Sequence, residues 1–185
     1  MLSAVVKSDA YGLGIAKIVP EIERYGVRSF FTATISEAIK IRSYSRDCEI
    51  FTLNGFDFLK SNLYKEHNIT PIINNILEAQ KFIEIFNQTR KVAIQLNTGM
   101  NRLGMDEQTL LENIDIVKSL PLNLILSHLA CADETSNKEN KAQKDLFIQL
   151  CKFLPNIRKS ISASHGTLLG NEFHFDMVRP GIGLY

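Results

Sequence analysis

Eight short β-rich runs recur along the chain, and an amphipathic stretch follows nearly every one. The runs are Leu2–Val6, Ser29–Thr32, Glu49–Leu53, Thr70–Ile73, Val92–Leu96, Leu122–Ser127, Ser160–Ser162 and Phe175–Val178. Most are apolar on consecutive positions rather than on alternate ones. That pattern suits strands buried on both faces, and such strands belong to parallel sheets covered by helices.

The intervening stretches carry helical spacing. Ile15, Ile18, Val19 and Ile22 mark the first, with Pro20 predicted as a kink or a late start. Ala38, Ile39 and Ile41 mark the second, with Ser36 as its predicted N-cap. Ile76, Ala79, Ile83 and Phe86 mark another, and Leu146, Leu150 and Phe153 a late one. Leu110, Leu111, Ile114 and Val117 predict a helix behind Asp106 and Glu107, whose charge suits a helix N-terminus.

Strands alternating with helices in this way build right-handed βαβ units. Two outcomes remain, an open doubly wound sheet or a closed (β/α)8 barrel. Eight strands favour the barrel, which typically needs about 250 residues. This chain has 185, opens its first strand almost at residue 1, and has no helix after Gly181–Tyr185. The expectation is an α/β protein, one TIM-type barrel domain over residues 1–185, truncated at both ends. An uncovered eighth strand would then present an apolar face and, if the ring is left unclosed, a free edge, and would drive self-association.

Composition narrows the function. With 45% hydrophobic and 22% charged residues and a net charge of +1, the chain is neither disordered nor drawn to nucleic acid or a membrane surface. No stretch reaches the roughly 18 apolar residues of a membrane span. Lys7 and Asp9 interrupt the N-terminal apolar run, so no signal-peptide core is expected. Cys48, Cys131 and Cys151 lie far apart without metal-ligand spacing. They read as free thiols of a reducing, cytoplasmic protein with no metal.

Catalytic groups in a barrel sit at the C-terminal ends of strands and in the loops that follow. Reading those positions gives Lys7 and Tyr11 after strand 1, Arg102 after strand 5 and His128 after strand 6. It gives Ser164 after strand 7, and Arg179 and Gly181 after strand 8. Each residue alone has an ordinary structural use, as a solvated arginine, a hydrogen-bonded histidine or a loop serine. Together they form a rim poor in carboxylates. That disfavours glycosidase or Mg2+ chemistry, which needs paired acids. It favours an anionic ligand carrying a phosphate and a carboxylate. A lysine at the end of a buried strand can, as the neutral amine, form a Schiff base with a carbonyl.

Four ordered motifs carry a family resemblance across essentially the whole chain. Ala4-Val5-Val6-Lys7-Ser8-Asp9-Ala10-Tyr11-Gly12-Leu13-Gly14 resembles the pyridoxal-phosphate lysine motif of alanine racemases. Asn97-Thr98-Gly99-Met100-Asn101-Arg102-Leu103-Gly104 resembles their strand-5 motif. Ser127-His128-Leu129-Ala130 and Val178-Arg179-Pro180-Gly181-Ile182-Gly183-Leu184-Tyr185 match in order and spacing.

The resemblance implies pyridoxal 5'-phosphate held by Lys7, which also serves as one of two acid–base groups. It implies phosphate contacts from Tyr11 and Ser164, and from the backbone N–H groups of Gly181 and Ile182. It places Arg179 beside the cofactor's pyridine nitrogen, His128 in a hydrogen bond to that arginine, and Arg102 near the substrate carboxylate. Gln95 stands where many members carry a carbamylated lysine that holds the arginine, and Asn97 stands where Asp is usual. A neutral amide holds an arginine more weakly than an anion does.

The family joins such a barrel to a C-terminal β-domain, which supplies the second base, a tyrosine, across a homodimer. The resemblance therefore implies an isomerase that interconverts L- and D-alanine for peptidoglycan precursor supply, with that second domain absent here and the isolated chain inactive or nearly so. The alternatives are another barrel-type pyridoxal-phosphate racemase or decarboxylase, a non-catalytic pyridoxal-phosphate-binding barrel, and a barrel without a cofactor.

Overall fold

The computed structural model describes residues 1–185. Seven strands form one parallel sheet in chain order: β1 (Ala4–Val5), β2 (Ser29–Thr32), β3 (Glu49–Thr52), β4 (Thr70–Ile73), β5 (Val92–Gln95), β6 (Leu122–Leu126) and β7 (Arg158–Ser160). The helices are α1 (Ile15–Arg24), α2 (Ile35–Tyr44), α3 (Ser61–Glu66), α4 (Ile76–Phe86), α5 (Glu107–Glu112), α6 (Ile114–Lys118) and α7 (Lys138–Cys151). None is long and apolar enough to cross a membrane.

Side chains alternate across a strand, so each unbroken apolar run serves two cores at once. Ala4, Phe30, Ile50, Ile73, Ile94 and Ile125 belong to a cluster of 34 buried residues shared with the helices. Val5, Phe31, Phe51, Ile72, Ala93, Leu124, Leu126 and Met177 form a separate cluster of 8 that fills the barrel. Phe31 and Phe51 stack there with centroids 4.7 Å apart. At the N-terminal end of the strands, Arg158 of β7 reaches across to Glu49 of β3. Its two terminal nitrogens donate to the two carboxylate oxygens at 2.9 and 2.8 Å.

The eighth position is occupied, but not by the predicted strand Phe175–Val178. Phe175 is left-handed at φ 49°. The next two amides, of Asp176 and Met177, both donate to the Lys159 carbonyl, which breaks the regular ladder. Beyond that irregularity the segment pairs on both sides. Arg179 N–H reaches the Ser162 carbonyl at 2.9 Å. Ser3 and Val5 donate to the carbonyls of Val178 and Pro180 at 3.0 and 2.9 Å. Leu2 and Val178 form a parallel bridge. The ring is therefore closed, and the segment leaves no free strand edge. The predicted seventh strand, Ser160–Ser162, shifts toward the N-terminus to Arg158–Ser160.

Two helix ends also differ from expectation. Thr34, not Ser36, caps α2. Its hydroxyl accepts the Glu37 N–H at 3.4 Å, and the Glu37 carboxylate returns to the Thr34 N–H at 3.2 Å. That capping box needs Glu or Gln three residues on; Thr34 has Glu37 there, whereas Ser36 has Ile39. Asp106 caps α5 through the Thr109 N–H at 2.8 Å, but the predicted single helix divides at Asn113. Pro20 neither starts nor ends a helix and lies within α1.

The inner cluster makes a stability prediction. Phe51→Ala removes a fully buried ring from the barrel centre, so it is expected to cost about 3–5 kcal/mol in urea unfolding. A loss under about 1 kcal/mol would mean that the inner core is not close-packed.

Candidate active site

The inward parity of the strands continues past their C-terminal ends. Steps of two lead from Val5 to Lys7, from Ala93 to Gln95, from Leu126 to His128 and from Met177 to Arg179. All four residues line one cavity of about 610 Å3. Tyr11, Arg102, Ser164, Gly181 and Ile182 line it too. Every site residue singled out in the sequence thus opens on a single mouth, above the apolar floor of the barrel.

Lys7 follows β1 rather than ending it, and it starts an unusual turn. Ser8, Asp9, Ala10 and Tyr11 all have positive φ, between 52° and 56°. A left-handed helical residue costs about 1–2 kcal/mol, so four in a row cost roughly 4–8 kcal/mol. Such a conformation persists only where its surroundings over-determine it. Here Ser8 N–H donates to the Glu37 carboxylate at 2.6 Å, and Ile15 N–H to Asp9 Oδ1 at 3.1 Å. Gly12 and Gly14 close the turn onto the carbonyls of Ser8 and Asp9, both at 2.9 Å. Those two glycines sit at φ 89° and 92°, where a side chain would be strained.

A cluster of neutral donors lies beside the turn. Ser164 Oγ accepts the N–H groups of Gly181 and Gly183, both at 3.0 Å. The Tyr11 hydroxyl interacts with the Ile182 backbone and packs on Gly181, where a Cβ would collide with it. Burial pushes the Tyr11 phenol up, against the opposing effect of Ile182. Hydroxyls and backbone N–H groups gathered this way suit a phosphate. Among the charged residues lining the cavity, Lys7, Arg102 and Arg179 face a lone carboxylate, Asp133. Volume, donor type and charge all fit an anionic, phosphorylated cofactor with an aldehyde that Lys7 can capture.

Arg179 is 2% exposed. Its guanidinium donates to the Ser127 carbonyl at 2.6 Å and to the Ser160 hydroxyl, and it lies 5.9 Å from the centre of the Phe31 ring. Burial pulls it down to about 9, which leaves it protonated at neutral pH. Neither hydrogen bond goes to His128, so the expected His128–Arg179 bond is not formed. His128 is instead held neutral. Burial first, then the charges of Arg179, Arg102 and Lys7, push its imidazole down to about 3.

Gln95 does not hold Arg102 either. Its amide donates to the Leu103 carbonyl at 3.3 Å, while Arg102 is exposed and makes no ion pair. Asn97 shapes the loop that carries Arg102. Its Oδ1 accepts the N–H groups of Gly99 and Asn101 at 3.1 and 3.0 Å.

Sequence reasoning missed Gln143, which is buried on α7. Its Oε1 accepts the Ala130 N–H at 2.8 Å. Its Nε2 donates to the His128 carbonyl at 3.0 Å and to Thr98 Oγ1 at 3.3 Å, tying the loops after β5 and β6 together. The available signal was a polar residue on the apolar stripe of its helix, in line with Leu146, Phe147 and Leu150.

The same barrel occurs in known proteins. The family described as alanine racemase, N-terminal domain, matches residues 1–185. The alanine racemase of Rickettsia akari is 35% identical over all of this chain and 54% of its own length. That of Rickettsia prowazekii is 34% identical over 48% of its length. Among solved structures, alanine racemase from Bartonella henselae with covalently bound pyridoxal phosphate superposes with a TM-score of 0.93 at 36% identity, over all of this chain and 56% of that one. The biosynthetic alanine racemase of Pseudomonas aeruginosa gives a TM-score of 0.91 at 28% identity, over all of this chain and 52% of that one. The chain spans about half the length of the curated relatives it matches. With its whole length matched in sequence and in fold, the chain belongs to the alanine racemase N-terminal domain family.

Proposed function

We propose that residues 1–185 form the cofactor-binding barrel of an alanine racemase. In this reading Lys7 holds pyridoxal 5'-phosphate, and the complete protein, a cytoplasmic homodimer, interconverts L- and D-alanine for peptidoglycan precursors. The observation that carries it is the convergence of Lys7, Arg179 and the Tyr11–Ser164–Gly181 donor cluster on one cavity. The covalent cofactor in the Bartonella henselae structure supports it.

Bound there, the cofactor supplies an electron sink that makes the Cα–H bond of an amino acid ionisable. The rest falls to the chain's own groups. The Lys7 amine would hold the cofactor and, when released from it, would take or return the proton on one face of Cα. Tyr11, Ser164 and the N–H groups of Gly181 and Ile182 bind the phosphate without bringing a rival charge. Arg179 can only donate, so an acceptor beside it stays unprotonated. The neutral His128 places no second cation next to that arginine. Arg102, free of any ion pair in the protein, takes the substrate carboxylate. Racemisation also needs a proton-handling group on the opposite face of Cα. In this reading that group comes from outside residues 1–185, so the 185 residues alone turn alanine over slowly.

Two measurements test this reading. Borohydride reduction in the presence of pyridoxal phosphate is expected to leave a stable covalent label that peptide mapping assigns to Lys7, and Lys7→Ala is expected to abolish it. A label that survives in Lys7→Ala removes the assignment. The second measurement concerns His128, which titrates near 3 when folded and near 6.5 when free. Between those values the unfolded state binds the extra proton, so stability falls as pH drops through that window. The slope from this one group reaches up to about 1.4 kcal/mol per pH unit and vanishes above pH ~6.5, where both states are neutral. Urea unfolding across that range should show a flatter acid slope for His128→Gln than for the unsubstituted chain. Equal slopes would mean that His128 is not held neutral by the fold.

A further inference from the structure

Glu37 lies on α2, outside the cavity lining, yet its carboxylate is the group that holds the peptide immediately after Lys7. Oε1 accepts the Ser8 N–H at 2.6 Å. Oε2 accepts the N–H groups of Ala33 and Thr34 at 2.9 and 3.2 Å. A capping box accounts for the Thr34 contact alone, because it asks only that the glutamate reach back to its own N-cap. The bonds to Ser8 and Ala33 go beyond the box. They join the loop after β1 to the loop after β2 through one anion.

The chemistry of that join is specific. The peptide unit donating to Glu37 is the one between Lys7 and Ser8, so the bond fixes the rotation of the backbone on which the Lys7 side chain stands. It also acts at the first of the four left-handed residues, where the chain has most reason to relax. Hydrogen bonds to an ionised acceptor are stronger than neutral ones, and this carboxylate receives three. Asp9 adds a second carboxylate contact at the far end of the turn, through the Ile15 N–H. The strained turn is therefore pinned by an anion at each end.

Glu78 shows that the arrangement is a device of the fold and supplies its internal control. It sits at the same position of α4, three residues after the N-cap Asn75. Its carboxylate takes the Asn74 N–H at 2.9 Å and the Asn75 side-chain amide at 2.8 Å, and also the Phe56 N–H of the preceding strand–helix loop at 3.1 Å. Each glutamate thus ties its own loop to the one before. The loop tied by Glu78 lines the cavity only through Leu53 and Asn54 and carries none of the lysine, arginine or phosphate-binding residues; the loop tied by Glu37 carries Lys7.

We propose that Glu37 is a positioning residue for Lys7: its carboxylate holds the left-handed turn in the form that presents the amine to the cofactor. The inference rests on the proposed role of Lys7. Its test compares Glu37→Gln, which keeps the size but loses one accepting oxygen and the charge, with Glu78→Gln.

In the cofactor-free chain, amide hydrogen exchange over residues 8–14 is expected to speed up in Glu37→Gln and to stay unchanged in Glu78→Gln. In titrations with pyridoxal phosphate, Glu37→Gln is expected to weaken binding roughly tenfold, the size of one lost charge-assisted hydrogen bond. Glu78→Gln should bind as the unsubstituted chain does. Thermal unfolding of both variants separates the two roles, because a purely structural glutamate would shift stability in both and leave binding alone. If exchange or binding in Glu37→Gln stays at the unsubstituted value, the positioning role is overturned while the role of Lys7 stands. If the borohydride label survives in Lys7→Ala, or the unsubstituted chain binds no pyridoxal phosphate, the proposed function fails and this inference fails with it.

Discussion

Closure of the strand ring governs everything above it. Once residues 176–180 pair with both Ser162 and the β1 segment, alternate residues of every strand must point into one enclosed space. Eight apolar side chains fill its lower part. The next residues in the same parity have no apolar volume left to occupy, and they become the floor and walls of the cavity. Arg179 takes part in both events. Its N–H donates to Ser162 as a link of the ring, and its guanidinium lies buried over Phe31 in the mouth. The site is thus an outcome of the same geometry that makes the barrel.

The electrostatics of the mouth follow from what the fold leaves unpaired. A buried cation is costly unless hydrogen bonds and a ligand compensate it. Arg179 has a carbonyl, a hydroxyl and a ring face, but no carboxylate. Arg102 has no ion pair, and His128 stays neutral because it is buried and because a fourth positive charge there would face two arginines and a lysine. The mouth therefore carries uncompensated positive charge next to a set of neutral donors. An anionic ligand supplies what the chain withholds, so ligand binding and local stability are coupled by mass action.

Much of this was legible in the residues. Unbroken apolar runs alternating with helical stretches gave the barrel, and the residues after each run gave the rim. What escaped were features that depend on neighbours distant in sequence. Ser8-Asp9-Ala10-Tyr11 contains no glycine, and its left-handed form is set by Glu37 and Asp9 together with Gly12 and Gly14. Phe175–Val178 has strand composition, but the shared Lys159 carbonyl makes it irregular. The partners of Arg179 could not be read from the motif: Ser160 and Ser127 outcompete His128 through placement rather than chemical preference. Ser36 has the chemistry of a cap, but the reciprocal glutamate three residues on belongs to Thr34.

The outer helices do more than cover the sheet. Glu37 from α2 and Gln143 from α7 both send polar groups inward between the loops, and each joins two consecutive strand–helix connections. Gln143 ties the Thr98 and His128 loops, and Glu37 ties the Lys7 and Ala33 loops. Loops are ordinarily the mobile part of a barrel. Here two helix side chains, neither of which lines the cavity, convert the rim into a braced ring. The strain in the Lys7 turn is tolerable for that reason. A lone loop would relax out of four left-handed residues, whereas a loop bonded to its neighbour's helix can relax only if that helix moves as well. Since α2 is anchored by Ile35, Ala38 and Ile41 in the outer core, the lysine is ultimately held in place by apolar packing on the far side of the sheet.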